Sequence, residues 1–80
     1  MNKKTIAFYE VNQEASAILP QLDEVEEIVF DYINNEGAAT ESAIIHSVRD
    51  LLPSQVRIAI GSLRNKGLIE RRNVTLETDE

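Results

Sequence analysis

Apolar residues in "SQVRIAIGSLRNKGLI", residues 54 to 69, recur with a helical period. At about 100° per residue, Val56, Ala59, Ile60 and Leu63 gather on one side and Arg57, Ile58, Gly61 and Asn65 on the other. The spacing predicts a helix over about 54–66, stopped by Gly67. A solvated face rarely centres on an isoleucine and a glycine, because glycine in a helix interior costs about 1 kcal/mol relative to alanine. A ligand or partner is therefore expected on that face.

Two more helices are predicted upstream. Leu22, Val25, Val29, Tyr32 and Ile33 form an apolar stripe, with Glu24, Glu27 and Asp31 opposite. Asp23 followed by Glu26 has the form of a capping box, and Gly37 is a stop signal, which gives a first helix over about 23–35. Thr40 is a good N-cap for a second helix over about 41–50, with Ile44, Ile45, Val48, Leu51 and Leu52 on one side. Pro53 and Ser54 break that helix and cap the third. At the ends of the chain, "TIAFYEV" (5–11) is β-branched and aromatic and reads as a strand, and "NQEASAIL" (12–19) as a helical turn or two before Pro20. "LIERRNVTLET" reads as a hairpin that pairs Ile69 with Leu76 across a tight turn near Arg72 and Asn73.

Eighty residues predict a single small core. No cysteine and one histidine leave no thiolate site and little material for zinc, so no metal or cofactor is expected. Without an apolar run of 18 or more residues or a signal-peptide pattern, the chain reads as soluble and intracellular, cytoplasmic, with no membrane partner. His46 and Asp50 are four apart on the second helix and read as a solvated pair. The carboxylates of "DEVEEIVFD" decorate an outer helix face, and neither a nucleophile–base arrangement nor a phosphate-cradling loop occurs. The expectation is that the chain is not an enzyme.

Charge divides the chain more than its net −6 suggests. Residues 1–53 hold three basic against ten acidic residues; residues 54–73 hold five basic (Arg57, Arg64, Lys66, Arg71, Arg72) against one acidic (Glu70), a local +4, before an acidic tail.

The stretch "ATESAIIHSVRDLLPSQVRIAIGSLRNKGLIERR" resembles the winged helix-turn-helix family. The most specific part is the ending Leu63, Lys66, Gly67, Leu68, Ile69. The resemblance implies an α+β, mainly α, fold: a three-helix bundle over 22–78 with a C-terminal β-hairpin wing, an extra N-terminal segment over 1–21 and an acidic tail at 79–80. It also implies a sequence-specific DNA-binding transcriptional regulator whose third helix enters the major groove of double-stranded DNA. Ser54, Gln55, Arg57, Ile58, Ser62 and Asn65 would lie on or beside the reading face, flanked by Arg64 and Lys66, with Arg71 and Arg72 at the wing tip as phosphate or minor-groove contacts. Each has a plainer reading: Arg64 and Lys66 as solvated charges, Ile58 as a thymine-methyl contact, a protein contact or partial core, and Gly61 as a point of close approach or a tolerated poor helix residue. The alternative function is a protein-interaction winged helix, a subunit or inhibitor of a transcription, replication or phage-encoded complex. It is supported by the acidic total, by the short wing and by Ile58 and Gly61 on the outer face. Phe30 lies off the stripe of helix one, and Ile6, Phe8, Tyr9 and Val11 have no obvious place in a minimal bundle. A homodimer through residues 5–19 and the outer edge of helix one is therefore expected; the alternative is that the N-terminal strand adds to the wing sheet and covers Phe30 within one chain.

Overall fold

The computed structural model describes residues 2–14 and 21–78. The first and last described segments are strands β1 (Asn2–Val11) and β3 (Ile69–Thr78), which pair antiparallel over their whole length, Asn2 opposite Thr78 and Val11 opposite Ile69. A two-residue strand β2 (Ala38–Ala39) adds to the other edge of β1 opposite Tyr9 and Glu10, giving the order β2-β1-β3. Between the strands run the helices α1 (Glu24–Glu36), α2 (Glu41–Ser47) and α3 (Pro53–Asn65).

Alternation along the strands fixes which face the helices cover. Tyr9, Ala39 and Ile69 are buried, and Val11 packs against them, so the odd-numbered residues of β1 and β3 point into the core. Ile6, Phe8, Val74 and Leu76 take the opposite face. The core is closed by Val29, Phe30 and Ile33 of α1, Ile44 of α2, and Val56, Ala59, Ile60 and Leu63 of α3. None of residues 3–8 or 70–77 is buried, so the far half of the β1/β3 ribbon projects as an arm. The radius of gyration is accordingly 13.6 Å, against about 11.6 Å for a compact domain of this length.

Local chemistry accounts for the helix ends. The Asp23 side chain accepts from the Glu26 N–H at 2.8 Å, and Glu26 Oε1 accepts from the Asp23 N–H at 3.1 Å, completing the expected capping box. Thr40 Oγ1 accepts from the Ala43 N–H, as its N-cap position predicts. The end of α3 is a Schellman turn: the Leu68 N–H reaches the Leu63 carbonyl and the Gly67 N–H the Arg64 carbonyl. Gly67 adopts φ +75° there, a conformation that an L side chain would strain.

The winged-helix architecture expected from the sequence is not what forms. The N-terminal strand, instead of being an appendage to a three-helix bundle, is the central strand of a three-stranded antiparallel sheet. Nor is "LIERRNVTLET" a hairpin; it is one continuous strand. A tight hairpin needs residues at positive φ, and the only described residues there are Gly37 and Gly67, whereas β1 offers a partner to all ten residues of β3. Helix α2 ends at Ser47, so Asp50 lies beyond the helix that carries His46. Helix α3 starts at Pro53, with Leu52 in the N-cap position; Ser54 is inside the helix and is not its cap. Phe30 is 6 % exposed, because α1 contacts both α3 and the sheet and so buries a wider arc than one stripe. The helical turn expected around 12–19 falls mostly outside the described residues; Asn12 itself leaves the ladder, donating through its N–H to Leu68 and through Nδ2 to the Gly67 carbonyl.

Leu63 is fully buried between α3 and the rest of the core. Leu63→Ala is expected to lower unfolding free energy by about 2–5 kcal/mol, read from urea denaturation.

Candidate nucleic-acid interface

Helix α3 presents three sides. Val56, Ala59, Ile60 and Leu63 face the core. On the edge toward α1, Gln55, Ser62 and Lys66 are engaged within the chain: Gln55 Oε1 accepts from the Leu52 N–H at 2.8 Å, Ser62 Oγ donates to Glu26 Oε2 at 2.7 Å, and Lys66 Nζ donates to the same oxygen at 2.6 Å. The outward side holds Ser54, Arg57, Ile58, Gly61, Arg64 and Asn65, all exposed.

Glu26 is the polar centre of this arrangement. It is 5 % exposed, and both carboxylate oxygens are used, one by the α1 N-cap and one by α3. Lys66 and Ser62 donating to it, with the Asp23 backbone, outweigh the cost of burial and hold its pKa down at about 2, from an ordinary 4.5. Three of the residues expected to touch DNA thus sit on the α1 edge, with Ser62 and Lys66 fixing the tilt of α3 against α1.

The outward face is different in kind. It carries no acidic residue. Ile58 is 73 % exposed, and its side chain borders a shallow groove shared with Asp23, Val25 and Ala59. Around Gly61 a Cβ would meet nothing within 4 Å, so packing does not require glycine there. Arg57 lies with Nε 3.4 Å from Glu41 Oε2, an exposed pair of the kind worth little, and among the described residues Arg64 has no ionic partner. Arg71 and Arg72 lie in mid-strand opposite Tyr9 and Phe8, on opposite faces of the sheet, with Arg72 Nη1 3.7 Å from Glu10 Oε2. They do not meet at a tip, because the hairpin that would have made the tip is absent.

Among the described residues there is no group of three side chains suited to a metal ion, and no helix is long and apolar enough to cross a membrane. Compared with protein-family models, with curated proteins and with solved structures, the chain matches none.

The Glu26 hub has a pH signature. A carboxylate whose folded pKa is depressed adds stability that is fully present above its unfolded pKa and is lost as the solution is acidified through the folded one. The loss should fall between pH 4.5 and about 2. Glu26→Gln is expected to flatten that part of the stability–pH curve, and at neutral pH to cost about 2–3 kcal/mol, since a hydrogen-bonded charge is removed from between two helices. Urea melts of both proteins across that range are the check.

Proposed function

We propose that the chain binds double-stranded DNA through the outward face of α3, as a sequence-specific regulator. The observation that carries this reading is that face itself: acid-free, with Arg57, Arg64, Asn65 and Ser54 set around a glycine in open space. An α-helix fits the major groove, and these side chains have the donors that base edges and phosphates accept. Gly61 lets a phosphate or groove wall approach the helix backbone closely, and Ile58 is placed to meet a thymine methyl. Residues 54–73 hold five basic residues against Glu70 alone, so local charge opposes the net −6, with Glu41 beside Arg57 at the margin of the face.

A second reading is favoured by one observation, the groove between Ile58 and the N-terminus of α1. An exposed isoleucine beside an apolar groove suits a protein partner, in which case the chain would be a subunit or inhibitor of a larger assembly. Salt separates the two readings. Binding to duplex DNA should weaken with a log–log slope of about −2 to −4, from about −0.9 per neutralised phosphate, and Arg64→Ala should make that slope shallower by about one. No binding to duplex at low salt overturns the DNA reading and leaves the protein reading standing.

Gly61 gives a test with two readouts of opposite sign. Gly61→Ala should stabilise the fold by about 1 kcal/mol, since nothing surrounds the added methyl, and yet weaken DNA binding. A stabilised variant with unchanged affinity would show that Gly61 is only a tolerated helix residue.

A further inference from the structure

The projecting half of the β1/β3 ribbon is two strands from opposite ends of the chain, with no turn joining them and no buried residue on either face. Two strands alone are marginally stable in water; a third and fourth strand, or a packed face, is what normally secures such a pair. Strand β3 is moreover an open edge among the described residues. Its ten-residue register is unbroken, without a bulge, and the strand contains no proline, so what guards this edge is charge alone, at Glu70, Arg71, Arg72 and Glu77.

Asn12 N–H donates to the Leu68 carbonyl at 2.8 Å, and the register continues from Val11 opposite Ile69, so the even-numbered residues of β3 exchange their backbone bonds with β1. The backbone groups of Arg71, Asn73, Thr75 and Glu77 therefore point to the open side. Charge along this edge is self-complementary under a two-fold axis: with the axis at Val74, Arg71 of each copy falls opposite Glu77 of the other, and Asn73 opposite Thr75.

We infer that the open edge of β3 docks β3 of a second copy of this chain, antiparallel, with the axis at Val74. The sheet becomes continuous across the axis. The four odd-numbered residues of each copy form hydrogen-bonded pairs. Val74 meets its counterpart in a non-hydrogen-bonded pair, the kind in which side chains come closest. Arg72 lies across from Leu76, and its aliphatic stem covers part of that side chain, which is 45 % exposed in the single chain. Opposite charges at the two ends of the strand also select against the parallel arrangement, which would set Arg71 on Arg71 and Glu77 on Glu77. This interface is separate from residues 5–19. Residues 5–11 lie within β1, whose β3-facing edge is fully paired inside one chain, and Phe30 is covered there as well. It does not depend on what α3 binds.

Sedimentation equilibrium on the full chain, between about 5 and 500 µM, tests the inference, since a strand-edge interface is smaller than the standard about 1,600 Å² and belongs to the weak class. Wild type should reach the dimer mass within that range. Thr75→Pro removes an outward N–H and the exposed hydroxyl contact to Thr5 but leaves the backbone pairing with β1 intact, so it should be monomeric at every concentration while amide NMR dispersion stays native. Glu77→Arg should weaken the dimer at least tenfold, and the swap Arg71→Glu with Glu77→Arg should restore it. A wild type that stays monomeric overturns the inference, and so does a dimer that Thr75→Pro and Glu77→Arg leave unchanged. A swap that fails to restore a dimer lost in Glu77→Arg overturns the register.

Discussion

The pairing of the two ends of the chain is the constraint on which the rest depends. Ten consecutive residue pairs join β1 to β3, so the described residues between them form a closed excursion of three helices that joins the sheet only at β2. That closure accounts for the short β2, whose two residues pass along the free edge of β1 before α2 begins. It also accounts for the Schellman turn at Gly67, which reverses the chain from α3 into β3 within three residues. The pairs of this ladder lie 58 to 76 residues apart, so closing the loop is costly, and local helix formation in between reduces that cost.

Within that frame, α3 is held from two directions. Its apolar side packs on the core and its α1 edge is fastened by the Glu26 carboxylate, which takes Ser62 and Lys66 at once. One buried acid thus serves as a helix cap in α1 and as an anchor for a neighbour. With two sides committed, the third side of α3 is left rigid and outward, a better platform for recognition than a loop would be.

The helices were legible in the sequence because their signals are local. Capping residues Asp23 and Thr40, the breaks at Gly37 and Gly67, and the period of Val56, Ala59, Ile60 and Leu63 each act within a turn or two of where they stand. Sheet order was not legible. "TIAFYEV" announces a strand but not its partner, and "LIERRNVTLET" satisfies the alternation of a hairpin and of a single long strand equally, with Asn73, a residue that tolerates a tight turn, pointing to the hairpin. The same gap moved Arg71 and Arg72 from a supposed tip to mid-strand. Glu26 was readable as a cap, whereas its hold on Ser62 and Lys66 spans 36 and 40 residues and has only a faint local trace, two polar residues four apart on one edge of α3. The outward residues Arg57, Ile58, Gly61 and Asn65 followed directly from the helical phase, and they are exposed.

That the outer face of α3 is the working surface is tested most directly by titrating isotope-labelled protein with duplex DNA and following its amide resonances. The account predicts that shifts concentrate at Ser54, Arg57, Ile58, Gly61, Arg64 and Asn65, with the core residues Leu63 and Ile33 and the far strand positions Lys3 to Thr5 unmoved. Shifts confined to the β1/β3 arm, or none at all with duplex DNA at low salt, would contradict it.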